Sequence, residues 1–412
     1  MGEPVDARTA AERLGVDVRT LYAYVSRGAL RRVAGPDGRS SRYDSDELEL
    51  LARRSRPRTL PRPAASIDLV IATRVSTVTD GVVRYRGRDV LGLVAAREPF
   101  EAVAELLWAG PPAARAEPAP GAAWQLSAGQ AAPVRVMLGA LGGGVPVAQR
   151  FAAVVAATAG NSAPGAGRAP DWQAWGRFLV AALIEASGSG PSGPKAPGTK
   201  ATGGAVGGSA VADGAVARRL WQQWSPLRPT AARVRALDIA LVLLAEHELA
   251  ASTLAVRVAA SARAAPAGCV LAGLGTLSGT LHGDAPRLVR ELLLRPEGEG
   301  KGAGLSPGVG FGHSVHRHGD PRTAPLLQAV RAIATPADRD LIERAGRGGP
   351  AAPNVDFALA ALTHVARMPP EAATAIFAVA RTAGWIAHAA EEYTEPYVRF
   401  RGRAVAPARR PH

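Results

Sequence analysis

Between positions 247 and 401 the chain gathers the residue types that move protons and hold anions. All eight histidines lie at or after position 247. Imidazole changes charge near neutral pH, so acid–base chemistry is expected in this last part of the chain. His247 stands in Glu246-His247-Glu248-Leu249-Ala250-Ala251-Ser252. His282 stands in Leu281-His282-Gly283-Asp284-Ala285-Pro286. His313 opens the run His313-Ser314-Val315-His316-Arg317-His318-Gly319-Asp320-Pro321-Arg322, after Gly310-Phe311-Gly312. Asp356 follows in Pro353-Asn354-Val355-Asp356-Phe357, Arg381 in a long apolar stretch, and Arg399 in Val398-Arg399-Phe400-Arg401. A carboxylate can take a proton, an imidazole can take or give one, and arginine forks bind carboxylates and phosphates.

Each residue also has a purely structural reading. His247 in a buried helix can be a hydrogen-bonded core residue. His282 can occupy a tight turn, Arg381 can extend its charge past an apolar stem, and Asp356 can be an N-cap. His313, His316 and His318 suggest a metal site, but their spacing fits no standard zinc pattern, so no metal is expected. The single cysteine, Cys269, excludes a disulfide framework and any cysteine-based metal site.

The elements that must position these groups read as mostly helical. Residues 230–265 contain neither Gly nor Pro and carry apolar residues on nearly every face, the pattern of one long buried helix. Residues 371–392 form a second, interrupted only by Gly384. Helical patterns also cover 98–109, 147–158, 171–186, 287–294 and 323–334. Strand signal is confined to 67–86, where Val82-Val83-Arg84-Tyr85 follows Asp80-Gly81 as in a hairpin. Residues 57–65 read as a Pro-rich linker and 187–214 as a disordered Gly/Ser/Pro insertion. The organisation expected is a module over 1–56, a main domain over 66–405 and a tail over 406–412.

The N-terminal module has its own pattern. Thr9 with Glu12 fits a capping box, Gly15 ends a first helix, and Asp17 can cap a second. A turn at Gly35-Pro36-Asp37-Gly38 and a basic stretch to Arg42 follow. The unit resembles the winged helix-turn-helix of MerR-type regulators and phage excisionases. That resemblance implies DNA contacts from Arg19, Thr20, Tyr22 and Tyr24 in the major groove, and from Arg39 and Arg42 on phosphates. Residues 1–65 carry 13 Arg against 9 acidic residues, a net +4 of the chain's +14. The alternative is a small helical module that docks on the main domain or on another protein.

In their order and spacing, the histidine, aspartate and arginine segments resemble the citrate synthase family. Asp80-Gly81-Val82-Val83-Arg84-Tyr85-Arg86-Gly87 and Pro99-Phe100-Glu101-Ala102-Val103-Ala104-Glu105-Leu106-Leu107-Trp108 fit as well. The resemblance implies a mainly α fold with a large helical domain and a smaller helical domain that closes over the substrates. It implies condensation of acetyl-CoA with oxaloacetate, then thioester hydrolysis to citrate and CoA. Asp356 matches the family's base and His282 its enol-stabilising donor. His313 matches the residue that polarises and protonates the keto group. His247, Arg322 and Arg381 match the oxaloacetate-holding positions. Arg399 matches the arginine contributed by the second subunit of a homodimer, and Arg317 a basic residue against CoA phosphates. No cofactor is implied, acetyl-CoA being a substrate.

Three positions depart from the family pattern: Ala250 and Ser314 replace a frequent Asn and Arg, and Asp284 replaces a Gly. Asp284 either raises the pKa of His282 and spoils its neutral role or merely starts the next helix. Two other functions are carried forward: a 2-methylcitrate synthase using propionyl-CoA, and a DNA-binding regulator that senses metabolites with a synthase-like body. The N-terminus shows no secretory pattern and no apolar run suits a membrane span, so a cytoplasmic protein is expected.

Overall fold

The computed structural model describes residues 4–14, 21–22, 25, 30–34, 41–44, 48, 69–109, 124–142, 144–159, 170–188, 215–294, 309–313, 315–316, 319–349 and 351–402. Two compact units divide the chain at Ile71/Ala72. The expected linker at 57–65 and most of the expected insertion at 187–214 lie outside the described residues.

In the first unit, β1 (Pro4–Asp6), α1 (Ala7–Leu14), β2 (Val33–Ala34) and β3 (Ser41–Asp44) are present. The strands form an antiparallel sheet in the order β1-β3-β2, with Val33 opposite Arg42. Ala10, Ala11, Leu21, Leu30, Tyr43 and Leu48 make a small core. The cap of α1 is not the expected Thr9–Glu12 box. Asp6 Oδ1 accepts from Thr9 N–H at 2.8 Å, and the helix starts at Ala7. Asp satisfies an orphan first-turn donor as well as Thr does, and it also places negative charge at the helix N-terminus. Tyr22 is exposed, and Arg42 sits in β3. Arg19, Thr20, Tyr24 and Arg39 lie outside the described residues.

The second unit opens with the meander β4 (Ser76–Thr79), β5 (Val82–Tyr85) and β6 (Arg88–Asp89). Asp80 and Gly81 both take positive φ, as the expected two-residue hairpin turn requires. Among the described residues fourteen helices follow: α2 (Val90–Ala95), α3 (Phe100–Trp108), α4 (Ala128–Leu141), α5 (Val147–Ala157), α6 (Trp172–Ser187), α7 (Ala215–Trp224), α8 (Ala231–Leu244), α9 (Ala251–Ser261), α10 (Pro266–Leu277), α11 (Ala285–Leu293), α12 (Thr323–Ile333), α13 (Pro336–Arg347), α14 (Val355–Val365) and α15 (Ala372–Glu392). The mainly α expectation holds.

Helix α15 is the axis of this unit. It is buried from Ala372 to Ala389 and packs on α3, α6, α8, α9 and α10. Two glycines permit the closest approaches. A Cβ on Gly384 would lie 2.1 Å from Glu246 Oε2, and one on Gly273 would lie 2.8 Å from Trp385. Gly384 therefore does not interrupt the helix; it lets the segment after α8 lie against it. Helices α11, α12 and α13 each pack against α14.

The expected single helix over 230–265 is two helices. The chain leaves α8 at Leu244 and re-enters α9 at Ala251, with Glu248 at a φ of 53°. No Gly or Pro marks the break. It is held by partners far along the chain. The Tyr85 hydroxyl donates its one proton to Glu246 O at 2.8 Å, with Val242 O sharing it at 3.1 Å. Arg381 Nε donates to Leu244 O at 2.9 Å, and Gly384 N–H donates to Ala245 O at 3.1 Å. The carbonyls that a helix end leaves orphaned are thus satisfied by tertiary contacts. His247 sits in this break.

Candidate active site

Five segments converge on one buried cluster. The break after α8 brings His247, and the turn between α10 and α11 brings His282. The loop before α12 brings His313, His316, Asp320 and Arg322. The start of α14 brings Asp356, and the middle of α15 brings Arg381.

The loop is fastened to the start of α14 by main-chain pairing. Phe311 bridges Pro353, and Gly312 N–H donates to Ala352 O at 2.8 Å. Gly310 and Gly312 take positive φ, which leaves His313 facing the cluster. Asn354 donates from Nδ2 to Gly312 O at 2.9 Å. Its Oδ1 accepts from the N–H groups of Asp356 and Phe357, so Asn354 is the N-cap of α14. The capping reading of Asp356 is therefore wrong: a residue two positions earlier does that work. The Asp356 carboxyl makes no hydrogen bond among the described residues. Burial pushes it up to about 6, with Arg322 and Arg381 opposing and Asp320 adding to the rise.

Each histidine is held in a defined protonation state. Burial, then Arg322, pushes His313 down to about 4. Its Nδ1 accepts from Val315 N–H at 3.1 Å, with His316 N–H at 3.4 Å. Arg322 Nη2 also lies 3.4 Å from His313 Nε2. The shorter main-chain bond takes Nδ1 as the acceptor, so the one proton of the neutral ring sits on Nε2, and the longer Arg322 approach is then a contact without a hydrogen bond. Burial, then Arg381, pushes His282 down to about 4. Its Nε2 lies 2.8 Å from Ser252 Oγ, which already accepts from Trp385 Nε1–H at 3.3 Å. The hydroxyl keeps its own proton while accepting from the indole, and with that proton donated to His282 Nε2 the imidazole proton lies on Nδ1. Burial lowers His247 as well, assisted by Arg322, His313 and Arg381.

The arginines differ. Asp320 clamps Arg322 through two bonds, to Nε at 2.9 Å and to Nη2 at 2.8 Å. Asp320 Oδ2 also accepts from Val355 N–H, tying the clamp to α14. Burial alone would raise the Asp320 carboxyl, but the charge and bonds of Arg322 hold it below the ordinary range. Among the described residues Arg381 has only its bond to Leu244 O and a stacking contact, 4.9 Å from the centre of the Phe377 ring. Its Nη1 is buried without a partner. Phe377 also packs edge-on to His282 at 5.8 Å, so Arg381 and His282 share one wall.

Asp284 does not reach for His282. It bonds Arg287 through Nε at 2.9 Å and accepts from Thr374 Oγ1 at 3.1 Å. His282 is lowered rather than raised, so Asp284 plays the helix-start role. Arg399 is not brought to this cluster within its own chain; it bonds Glu392 twice, each at 2.6 Å. Arg317, Ser314 and His318 lie outside the described residues.

His247, His313 and His316 hold their nitrogens within 4.8 Å of one another, a grouping that could take a metal ion. The proton on His313 Nε2 opposes ligation through that atom, because two main-chain N–H groups occupy the other nitrogen. Sequence reasoning gave no role to Ser252, Asp320 or Asn354, and weighed His316 only as part of a metal site that it set aside. Asp320-Pro321-Arg322 carried a local signal, an acid two residues before a fork-shaped base. Nothing local marks Ser252, whose partner lies 30 residues away.

Residues 68–401 match the family described as "Citrate synthase, C-terminal domain". The chain is 32% identical over 180 residues to a 2-methylcitrate synthase of Shewanella oneidensis, covering 40% of this chain and 48% of that one. It is 35% identical over 184 residues to a citrate synthase of Synechocystis, covering 40% and 46%. The aligned part thus spans about half the length of the curated relatives it matches. Among solved structures, the citrate synthase of Pyrobaculum aerophilum aligns with a TM-score of 0.64 at 23% identity, over 84% of this chain and 91% of that one. The citrate synthase of Thermoplasma acidophilum, in a ternary complex with carboxymethyl coenzyme A and oxaloacetate, aligns with a TM-score of 0.59 at 20% identity, over 84% and 96%. With that match over most of its length, the chain belongs to the citrate synthase family.

Proposed function

We propose that the protein condenses acetyl-CoA with oxaloacetate and hydrolyses the resulting thioester to citrate and CoA. The observation that carries this reading is the enclosure of a carboxylate that makes no hydrogen bond among the described residues, Asp356, with two neutral imidazoles and two buried arginines. Asp356 takes a proton from the thioester methyl group. Its raised pKa makes it a stronger base than an ordinary carboxylate and leaves it mostly ionised at neutral pH. The oxygen of the resulting enol receives a hydrogen bond from His282 Nδ1–H. The nucleophilic carbon attacks the keto carbon of oxaloacetate, and His313 Nε2–H protonates the keto oxygen to a tertiary alcohol. Water then cleaves the thioester and CoA leaves as the thiol. Arg322 and Arg381, with His247, hold the dicarboxylate. Arg317 is the residue for CoA phosphates.

The 2-methylcitrate synthase among the similar proteins favours a second reading, with propionyl-CoA as the acyl donor. A methylene is worth about 1–3 kcal/mol of discrimination, so both thioesters belong in the assay. Thiol release is measured with each thioester and oxaloacetate. Release that depends on oxaloacetate and collapses in Asp356→Ala is expected. No release with either thioester would sink both readings and leave a metabolite-sensing regulator.

Two further assignments belong to the same proposal. The working unit is a cytoplasmic homodimer with Arg399 serving the partner's site, and α11–α14 form the smaller body that closes on the substrates. Mixing Arg399→Ala with Asp356→Ala subunits should restore part of the activity if sites are shared. The N-terminal unit binds DNA, supported by its β2–β3 pairing and the exposed Tyr22. Absence of a duplex DNA shift at low salt would remove that assignment.

A further inference from the structure

His316 has no part in the chemistry above, yet it is buried within the cluster. Its Nε2 lies 2.9 Å from His247 Nε2. Its ring centre is 5.1 Å from that of His247 and 4.9 Å from that of His313. Its Nδ1 is buried with no partner among the described residues. His247 makes no other hydrogen bond among the described residues.

Burial lowers both rings and Arg322 adds to it, with Asp320 only partly opposing at His316, so both are neutral at neutral pH. Two neutral imidazoles carry two protons on four nitrogens, and the contact between them needs one N–H. If His247 were the donor, the proton of His316 would be forced onto its Nδ1. There a buried N–H would have no acceptor. An orphaned buried N–H is rarer than an under-used acceptor. The proton of His316 therefore belongs on Nε2 and is donated to His247 Nε2. His247 must then carry its own proton on Nδ1.

We propose that His316 is a positioning residue that fixes His247 as an Nδ1–H donor toward a carboxylate of the keto-dicarboxylic substrate. The substrate half of this assignment rests on the function proposed above. The arrangement suits an anion. Arg322 and Arg381 both lie close enough to act on the His247 ring, so a carboxylate arriving there meets two positive forks and one imidazole N–H. Without His316, His247 is free to put its proton on either nitrogen. In the Nε2–H form it would turn a lone pair toward the substrate.

The test compares the full-length wild type with His316→Phe and His316→Gln. The readouts are kcat and KM for oxaloacetate in thiol release, and the oxaloacetate dissociation constant by calorimetry without thioester. The third is the protonation of the His247 ring nitrogens by NMR of protein labelled with 15N-histidine. Wild-type His247 should be protonated at Nδ1. His316→Phe should raise KM and Kd for oxaloacetate about tenfold, the worth of one hydrogen bond to a charged group, with kcat changed far less. His316→Gln, whose amide N–H can still donate to His247 Nε2, should recover most of that loss. A wild-type His247 protonated at Nε2 overturns the proposal. So does a Phe variant that binds oxaloacetate normally, or a Gln variant as impaired as Phe, which would indicate packing alone. A wild type that releases no thiol overturns the proposed reaction instead, and the ring-nitrogen assignment then decides the tautomer by itself.

Discussion

Two arginines, Arg257 and Arg381, are almost equally buried on or against α15, and the fold treats them in opposite ways. Arg257 meets two carboxylates and an imidazole: Glu392 at 2.8 Å, Glu391 at 2.6 Å and His388 Nδ1 at 2.9 Å. The network extends through His388 Nε2 to Glu246 at 3.1 Å and through Glu392 to Arg399. Arg381 meets one carbonyl and one aromatic face, and no carboxylate bonds it. Each keeps one buried nitrogen without a partner among the described residues. The difference is charge: Arg257 is neutralised, and Arg381 is not. Burial pushes Arg381 downward, with Glu246 only partly opposing. A buried cation without a bonded anion costs the fold free energy, and such residues persist where an anion arrives later. The comparison separates charges that build this unit from charges held for a substrate.

Three changes would break that separation or sharpen it. The largest effect on turnover is expected from Asp356→Ala, which should lower kcat by about 100- to 10,000-fold, the range of a positioned general base. Its thermal midpoint should not fall, since the carboxyl bonds nothing among the described residues. A loss of stability as large as the loss of turnover would return Asp356 to the structural class. Arg257→Leu is the opposite case. It takes the cation from Glu391 and His388, leaves Glu392 to Arg399 alone, and should cost about 3–5 kcal/mol in denaturant unfolding. Arg381→Leu lies between them. Oxaloacetate affinity should drop about 10- to 100-fold, the worth of a lost charge-assisted bond, while unfolding stability holds or rises. If Arg381→Leu instead unfolds the protein as Arg257→Leu does, the two arginines are alike and the comparison fails.

The pH profile sharpens the same point with a smaller effect. Asp356, held up at about 6, must be ionised to act as base. Raising the pH through 6 therefore switches activity on, and lowering it switches activity off. Below pH 6, kcat/KM for the thioester should fall about tenfold per pH unit. His282 and His313, pushed down to about 4, stay neutral over the same range and should add no limb between pH 5 and 8. An inflection near 4 in place of 6 would show a carboxylate at its ordinary value and remove the argument from burial.

The residues of this cluster were legible because each carries its chemistry in its own type and sits in a distinctive local string. Their supports were not. Asp356 could be read as a cap because sequence cannot show that Asn354 already satisfies the first N–H groups of α14. The break after α8 was invisible because its stabilisers are Tyr85, Arg381 and Gly384, up to 161 residues distant in sequence for the tyrosine bond to Glu246. A local pattern rich in helix formers reads as unbroken when the competing hydrogen bonds are tertiary. Helix α10 was missed for a related reason. Its glycines weaken the local signal, while Gly273 is required there by the ring of Trp385. The site thus fails to read as regular structure where distant partners hold it open, as expected for functional positions.

The smallest effect tests a residue that looked threatening in sequence. Asp284 lies two residues from His282, and a free carboxylate there would favour the imidazolium. The carboxylate is instead occupied by Arg287 and Thr374, and His282 remains depressed by burial and by Arg381. The Asp284–Arg287 pair is partly exposed, with side chains 19% and 33% accessible. Pairs of this kind contribute about 0.2–1 kcal/mol. Asp284→Asn should therefore cost less than about 1 kcal/mol in unfolding and should leave kcat/KM within about twofold. It should also leave the pH profile where Asp356 sets it. A shift of that profile in Asp284→Asn would mean that the carboxylate acts on His282 after all. Asp284 would then belong with the charges held for the substrate, beside Arg381, and not with those that build the unit.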